Sequence, residues 1–429
     1  MRHLHYLFFI GVTLFSFESL RAQIVDQEEF NQLEAKVIEW RRDFHQHPEL
    51  GNREYKTAEK IAEHLRKLGI EVQTGVAHTG VVGLLKGGKP GAVLALRADI
   101  DALPVTERND LPFKSVVKTQ FLGENTGVMH ACGHDTHTAI LMGVAEVLAA
   151  HRDQIKGTVK FIFQPAEEGP PPGEEGGALL MVKEGVLENP KVDAIFGLHI
   201  NSETPVGVVR YKTGGLLASA QRFVITVNGK QTHGSQPWSG IDPIYISSQI
   251  IDGLQSLVSR ESNLLKEAAV ISVGKIKSGL RFNIIPESAE IIGTIRTLDY
   301  DMRDLIEKRM NEMVPAIAQA FGGSAEIEIT EMTDITYNDA DLVAQMLPTL
   351  QTALGTDNVQ LTKATTGAED FSYFVREVPG FFFLLGGMTP GNTTPYPHHT
   401  PDFKIDESGM IHGVKVLTQL SIDYLNAKS

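Results

Sequence analysis

A thiol, imidazoles and a carboxylate occur together in one short segment of the sequence. Residues 130–137 read His-Ala-Cys-Gly-His-Asp-Thr-His and contain Cys132, the chain's single cysteine. Cysteine, histidine and carboxylate side chains are the usual ligands of first-row metal ions, and a glycine-containing turn can place the Cys132 sulfur and a His134 ring nitrogen on one cation. A bound metal also explains a cysteine without a disulfide partner, because coordination holds the thiol deprotonated. The alternative is a free cysteine buried beside the start of a helix.

Further ionisable side chains follow three short apolar runs, each typical of a strand buried on both faces. The runs 93–96, 159–163 and 194–198 lead into Asp99 and Asp101, Glu167 and Glu168, and His199, respectively. Parallel strands end at the same edge of a sheet, where ligands bind in open α/β folds. The sequence therefore predicts a site there, in which one glutamate ligates a metal and the other accepts a proton from water. The alternative is a pair of surface glutamates.

Two histidine pairs are further candidates for metal ligation. His398 and His399 follow a turn-rich stretch near the C-terminus, and either can complete a site. His45 and His47 also have the spacing of a metal pair, but they lie between two predicted helices without an acidic cluster in the sequence. We interpret this second pair as structural.

The order of the predicted elements indicates two domains, one inserted into the other. Apolar strands alternate with helical patterns up to residue 210, which predicts a mainly parallel sheet covered by helices on both faces. Residues 211–333 instead show half-exposed strands and helices in the order β-α-β-β-α-β, typical of a ferredoxin-like α+β domain. Strand and helix patterns return in residues 334–429, so residues 23–210 and 334–429 are predicted to form one α/β domain. The predicted helices are 32–40, 57–68, 138–150, 243–259, 301–321 and 410–425, and the later strands are 222–227, 269–276, 289–297, 325–329 and 381–385.

Composition and charge exclude several classes of protein. The 429 residues are 42% hydrophobic and 21% charged, typical of a globular chain, and the net charge of −14 argues against nucleic-acid binding through a basic surface. Residues 1–22 have the pattern of a secretory signal peptide, with Arg2, an apolar run at 7–17 and a cleavage site after Ala22. We therefore expect a secreted protein, periplasmic or extracellular, without a membrane span after signal removal. The alternative is an uncleaved anchor.

Together these motifs resemble the aminoacylase and carboxypeptidase family of co-catalytic metallopeptidases. The branch they resemble most contains hippurate hydrolase and the plant amidohydrolases that cleave indole-acetyl amino acids. The matching segments, in the order found in the family, are 41–51, 97–104, 130–137, 164–169, 197–199, 293–296, 369–371 and 399–401. The resemblance implies a zinc-peptidase-like α/β domain interrupted by a ferredoxin-like lid that often forms homodimers.

The resemblance also implies roles for individual residues. The implied ligands of one or two divalent cations, zinc or manganese, are Cys132, His134, Glu168, His199 and His399. His399 is preferred to His398 because it directly precedes Thr-Pro. Glu167 matches the general base, and Asp101 matches a carboxylate that orients a metal-site group. His233 matches a histidine that reaches the active site, often from a neighbouring subunit, and Asn283 and Arg296 match residues that contact the substrate.

The implied activity is metal-dependent hydrolysis of the amide bond of N-acyl amino acids or short peptides. Three alternatives remain: a carboxypeptidase or dipeptidase of the same fold, a binding protein without catalysis, and an enzyme that uses Cys132 as a nucleophile with His134. One segment departs from the family pattern, because Pro170 to Glu175 are inserted after the two glutamates. This insertion is expected to border the metal site and to affect the acyl pocket.

Overall fold

The computed structural model describes residues 24–428, so the predicted signal segment at 1–22 lies outside the described residues. The helices in this part of the chain are α1 (Gln27–Gln46), α2 (Tyr55–Lys67), α3 (His134–Ala150), α4 (Gly177–Lys183), α5 (Pro243–Ser256), α6 (Tyr300–Ala320), α7 (Ala340–Leu354), α8 (Ser372–Glu377) and α9 (Met410–Ala427). The strands are β1 (Glu71–Val76), β2 (Gly80–Lys86), β3 (Lys89–Asp99), β4 (Lys118–Phe121), β5 (Glu124–Gly127), β6 (Lys156–Gln164), β7 (Ala194–Pro205), β8 (Val209–Tyr211), β9 (Gly214–Leu217), β10 (Ser219–Asn228), β11 (Thr232–His233), β12 (Ala269–Ser278), β13 (Ile284–Ile285), β14 (Ser288–Thr297), β15 (Ser324–Thr333), β16 (Thr336–Asn338), β17 (Val359–Leu361) and β18 (Gly380–Met388).

An eight-stranded sheet in the order β1-β2-β6-β3-β7-β18-β8-β17 forms the centre of the large domain. Its central strands β6, β3, β7 and β18 are parallel, which confirms the prediction of a mainly parallel sheet. The antiparallel hairpin of β1 and β2 at one edge was not predicted, and β8 also runs antiparallel to β18. His199 lies inside β7 rather than at its end, because β7 continues to pair with β18 beyond this residue.

Helices cover both faces of this sheet, as predicted. Side chains alternate along β18, so Phe381 and Phe383 enter one core while Phe382 enters the core on the opposite face. The first core is closed by α1, α2, α3, α7 and α9. Almost every side chain of α3 is buried because this helix packs against both α1 and α9. The second core is closed by α4 and α8.

The inserted domain, here called the lid, has a separate antiparallel sheet in the order β12-β14-β10-β15. Along the chain its main elements follow the predicted β-α-β-β-α-β order. Helices α5 and α6 pack on the sheet around buried Phe223, Ile291 and Met310. The carboxylates of Asp242 and Asp299 accept hydrogen bonds from the first turns of these two helices, which fixes where each helix begins.

Two further short strands precede the lid sheet. Residues 209–211 form β8 in the large sheet, and residues 214–217 form β9, which pairs with β16. The lid sheet therefore starts at Ser219, and its last strand ends at Thr333, both within the predicted segment 211–333. No helix among residues 24–428 combines the length and the apolar character needed to cross a bilayer.

Candidate metal centre and active site

A cavity of about 410 Å³ opens near the carboxyl ends of the central strands. Part of its wall is formed by side chains singled out in the sequence: Cys132, Glu167, Glu168, His199, His398 and His399. The remaining wall is formed mainly by residues without a predicted role: Asn201, Leu216, Leu217, Thr333, Thr365, Ala368, Glu369 and Leu384. Because these residues come from loops and strands far apart in the sequence, no local pattern marks them as a pocket.

Cys132 lies at the centre of the polar part of this cavity. Its Sγ is 3.3 Å from His199 Nε2 and 3.3 Å from His399 Nε2, and His399 Nε2 is 3.1 Å from Glu168 Oε1. The ligating atoms of Cys132, His134 and His199 all lie within 4.8 Å of one another, and those of Cys132, Glu168 and His399 form a second such group. The structure thus brings together all five implied metal ligands in two groups that share the thiol.

The hydrogen bonds of two histidines leave the correct ring nitrogens for metal binding. His134 Nδ1 is 2.9 Å from the carbonyl oxygen of Asp101, and His199 Nδ1 is 2.6 Å from that of Ile200. A carbonyl oxygen only accepts, so each Nδ1 carries a proton and Nε2 is the nitrogen that can offer a lone pair to a metal when the ring is neutral. His134 Nε2 is buried without a hydrogen-bond partner. This orphaned nitrogen, next to a thiol and a carboxylate, fits a bound cation.

The electrostatics of the site also fit a cation. Burial raises the pKa of the Cys132 thiol well above its usual value, and the charges of Glu168 and Glu167 raise it further. Burial alone would lower the pKa of His134, but the negative charges of Asp99 and Asp101 outweigh it and raise the pKa to about 10. The carboxylates therefore favour bound protons on Cys132 and His134. A divalent cation that replaced these protons would neutralise the same negative charge.

The two C-terminal histidines have different environments. His398 Nδ1 donates to the Cys132 carbonyl oxygen at 3.0 Å, and its Nε2 accepts from the Ser202 amide at 3.3 Å. Both of its ring nitrogens are thus occupied. His399 adopts a left-handed backbone conformation, with φ of 60°, and its Nε2 faces Cys132 and Glu168. Strained backbone of this kind persists only where its surroundings enforce it. Of the two histidines, His399 is therefore the one whose ring nitrogen faces other implied ligands.

Glu167 lies beside the proposed metal ligands without joining either of the groups centred on Cys132. Its Oε2 is 3.7 Å from His134 Nε2. Burial, and then the charges of Glu369 and Glu168, raise the pKa of Glu167 well above its usual value. A carboxylate in such surroundings accepts a proton readily, which is what a general base must do.

Asp101 orients two of the implied ligands. Its Oδ1 lies 3.1 Å from His134 Nδ1, and its Oδ2 accepts a hydrogen bond of 3.0 Å from the Glu168 amide. This is the position expected of a carboxylate that holds a metal-site group.

A buried ion network supports the floor of the site. Arg97 is fully buried and donates to Gln164, Asp99, Glu369 and Asp370 over 2.6–3.1 Å. These residues belong to the motif segments 97–104, 164–169 and 369–371, but no role was predicted for them. An arginine inside an apolar strand was a usable signal, because a buried guanidinium requires carboxylate partners.

Asp99 has a second partner in this network. It lies 2.5 Å from Nδ1 of His137, whose Nε2 accepts from the Ile200 amide at 2.7 Å. Both nitrogens of His137 are therefore occupied, although it lies only three positions after His134 in the sequence.

The three lid residues with implied substrate roles do not line the described cavity of this chain. His233 is exposed in β11 and its Nδ1 accepts from the Ser235 amide at 3.1 Å. Asn283 has a buried Oδ1 without a hydrogen-bond partner, and Arg296 is partly buried in β14, where burial lowers its pKa. Their participation requires lid movement or a second subunit.

The first histidine pair has surroundings that the sequence did not indicate. His45 is buried, with Nδ1 2.8 Å from Asp135 Oδ2 and Nε2 3.2 Å from Glu107 Oε1, whereas His47 is exposed. No acidic cluster stands beside this pair in the sequence, because both carboxylates come from distant segments. Arg41, whose Nε is 2.8 Å from Asp135 Oδ2, completes a buried ion network.

The insertion at 170–175 does not line the described cavity. Glu174 pairs with both terminal nitrogens of Arg53, and Asn52 Nδ2 donates to the Glu175 carbonyl oxygen at 3.0 Å. The loop is therefore anchored to the segment before α2 rather than folded over the acyl side of the pocket.

The fold and site together define a metal-dependent hydrolase, with a Cys/His/Glu centre on an α/β domain and an inserted lid. Residues 95–423 match the model of peptidase family M20/M25/M40, and the chain belongs to this family. It is 41% identical over 402 residues to thermostable carboxypeptidase 2 of Saccharolobus solfataricus, covering 93% of this chain and 98% of the relative. It is 37% identical to IAA-amino acid hydrolase ILR1-like 2 of Arabidopsis thaliana, covering 92% and 87%.

Solved structures agree with this assignment. The YXEP protein of Bacillus subtilis, described as a dinuclear metal-binding peptidase of family M20, superposes with a TM-score of 0.77. The two chains are 35% identical, and the match covers 92% of this chain and 99% of that one. The resemblance inferred from the motifs is thereby confirmed, and so are the fold class and the assignment as a hydrolytic enzyme.

Proposed function

We propose that this protein is a secreted amidohydrolase that cleaves the amide bond of N-acyl amino acids, with Glu167 as general base. The observation that carries the proposal is the arrangement around Cys132, in which two potential ligand groups share one thiol and Glu167 lies beside them. A nucleophilic role for Cys132 is disfavoured, since burial and the charges of Glu168 and Glu167 raise the pKa of its thiol well above the usual value.

The mechanism divides the work between the ligands and the second glutamate. Cys132, His134, Glu168, His199 and His399 would hold one or two divalent cations, zinc or manganese, which polarise the scissile carbonyl and make water more acidic. Glu167 takes the proton from the attacking water and delivers it to the leaving amine. Asp101 keeps His134 and Glu168 in place during these transfers.

The walls of the cavity favour an uncharged acyl group. Leu216, Leu217 and Leu384 contribute apolar surface, and no lysine or arginine is among the described residues that line the cavity. The substrate's free carboxylate then needs a cationic partner from outside this cavity. Arg296 in the lid has a planar guanidinium suited to a carboxylate, and Asn283 has a buried, unpartnered oxygen suited to a donor such as an amide.

We further propose a homodimer formed through the lid, in which the partner subunit's His233 completes the site. Three large apolar side chains of the lid support this, because Trp238, Leu280 and Phe282 are 79%, 106% and 95% exposed. Trp238 and Phe282 flank the β11–β13 pair that carries His233. Sedimentation at micromolar concentration should give a dimer for wild type and a monomer for Phe282→Asp. Leu265→Asp, at an equally exposed position between α5 and β12, is the matched control and should stay dimeric.

The activity is tested with protein starting at Gln23 on a panel of N-acyl amino acids and dipeptides, with zinc or manganese and with chelator. Metal-dependent cleavage of the N-acyl set is the expected result. Preference for dipeptides would favour the second candidate, a carboxypeptidase or dipeptidase, which the 41% identity to a carboxypeptidase makes a specific alternative. No turnover on any substrate despite bound metal would contradict both.

The role of Glu167 is tested separately. Glu167→Gln should lower kcat by about 10²–10⁴-fold, the usual contribution of a general base, while bound metal stays constant. Glu168→Gln is the matched control, since the same substitution one residue later should reduce metal content. Secretion is tested by N-terminal sequencing of the exported protein, which should begin at Gln23; an intact Met1 would contradict signal cleavage.

A further inference from the structure

Glu54 is a buried carboxylate at the start of α2 that does not cap this helix. It occupies the N-cap position of α2, yet its side chain caps none of the helix amides. Glu49 does so instead and accepts from the Lys56 and Thr57 amides at 3.0 and 2.9 Å. A carboxylate at a helix N-terminus normally accepts from the first turn, so the direction of the Glu54 side chain requires another explanation.

The Glu54 carboxylate points to the turn that carries the general base. Oε1 accepts a hydrogen bond of 2.9 Å from the Ala166 amide, and Oε2 accepts one of 2.5 Å from Thr79 Oγ1. Glu54 has no measurable exposure, so neither oxygen exchanges its partner for bulk water. The carboxylate thus fixes the amide immediately before Glu167 and is itself held by Thr79.

Ala166 needs such a restraint. Its φ is 50°, in the left-handed region that side chains other than glycine seldom adopt. The turn also packs closely on the segment before Glu54, where a Cβ added to Gly51 would lie 2.9 Å from the Gly169 carbonyl oxygen and 3.1 Å from Ala166 Cα. The backbone direction at Ala166 decides where the next side chain, Glu167, points.

Glu168 is restrained independently. Its amide donates to Asp101 Oδ2 at 3.0 Å, and its carboxylate contacts His399. The two adjacent glutamates thus have separate supports, Glu54 through Ala166 for the base and Asp101 for the implied ligand. A perturbation of the first support should therefore affect catalysis more than metal binding.

We infer that Glu54 is a positioning residue, which fixes the left-handed backbone of Ala166 and thereby directs the Glu167 carboxylate toward the reacting water. This inference rests on the proposed function. Glu54→Leu removes both hydrogen bonds at similar volume. Glu54→Gln retains them, because the amide oxygen accepts from Ala166 while the NH₂ group donates to the Thr79 hydroxyl. Comparing the two variants separates the effect of losing the hydrogen bonds from the effect of losing the negative charge.

We expect kcat to fall while KM and the amount of bound metal stay nearly constant. Glu54→Leu should lower kcat by about 10–100-fold, as small misplacements of a catalytic group do, with KM and bound zinc within about twofold of wild type. Glu54→Gln should recover most of the kcat. Amide-resolved hydrogen exchange without metal or substrate should show faster exchange at Ala166 in Glu54→Leu and near-wild-type exchange in Glu54→Gln.

Several outcomes would overturn the inference. It is wrong if Glu54→Leu keeps full kcat, if Glu54→Gln is as impaired as Glu54→Leu, or if Ala166 exchanges at the wild-type rate in both. Should Glu54→Leu fail to fold, Thr79→Val gives the second test; it releases one carboxylate oxygen and should lower kcat in the same direction but less. If wild type hydrolyses none of the panel, the proposed function fails, while the exchange comparison still reports whether Glu54 holds the turn.

Discussion

Replacing Arg97 tests whether the buried ion network beneath the site is required for stability. The Arg97→Met substitution keeps an unbranched apolar stem but removes the guanidinium that donates to Gln164, Asp99, Glu369 and Asp370. Three carboxylates then remain buried without their common cation. Removing one partner of a buried ion pair destabilises proteins by about 3–5 kcal/mol, because the remaining charge stays desolvated. We expect a loss of this size at pH 8.

The loss should depend on pH in a defined direction. Burial raises the pKa of Glu369, and it raises the pKa of Asp370 to about 7 even beside Arg97. Without the guanidinium these values rise further, so lowering the pH protonates the carboxyls and removes the unpaired charge. The difference between Arg97→Met and wild type should therefore be smaller at pH 6 than at pH 8.

Guanidinium chloride unfolding followed by circular dichroism, in the presence of chelator, measures both quantities. Arg108→Met is the matched control, since Arg108 makes an equally close pair with Asp402 but at the exposed surface, where the change should be small. A difference in the free energy of unfolding between Arg97→Met and wild type below about 1 kcal/mol at pH 8 would refute the reasoning. It would mean that the attraction between the guanidinium and its carboxylates barely offsets the cost of desolvating the four charges.

Three further predictions concern the metal centre and its support. Zinc or manganese at 1,000 times its Kd should stabilise wild type by about 4 kcal/mol, seen as a chelator-reversible rise in Tm; equal Tm values would argue against a folded-state metal site. Cys132→Ala should lose more bound metal by elemental analysis than His199→Ala, because Cys132 belongs to both ligand groups and His199 to one. Burial and the charge of Asp101 raise the pKa of Glu54 from 4.5 to about 7. Between these two pH values the folded protein keeps a proton that the unfolded chain has lost, so the free energy of unfolding falls as the pH rises from 4.5 to 7. Glu54→Gln should therefore gain stability relative to wild type between pH 4.5 and 7 in denaturation experiments, and a constant difference would contradict the raised pKa.

Local sequence patterns were sufficient for the elements of the fold and for the first part of the site. The apolar runs before Asp101, Glu167 and His199 do form neighbouring parallel strands, and the ionisable side chains that follow these runs converge. Periodicity also revealed the lid, because apolar and polar residues alternate along its half-exposed strands, whereas the central strands of the large sheet show no such alternation. The hairpin β1–β2 escaped notice, although Val81, Val82 and Leu84 give it an apolar strand.

Long-range contacts carried no such local signature. His399 meets Cys132 across 267 positions, and Arg97 meets Glu369 across 272. The acidic partners of His45 are Glu107 and Asp135, which lie 62 and 90 positions away in the sequence. Nothing around Glu54 in the sequence indicates that it reaches Ala166, since the hydrogen bond depends on how the segment before α2 packs against the turn after β6.

The position of the lid within the chain has a consequence for biosynthesis. Four implied ligands precede the lid, but His399 and strand β18, which pairs with β7, follow it. A chain made from its N-terminus therefore completes the lid before it can close the central sheet, and until then the edge of β7 is open. A cation held by ligands from both parts is bound tightly only when those parts have met. Metal retention by the newly made enzyme thus reports that the large domain has been assembled from both of its segments.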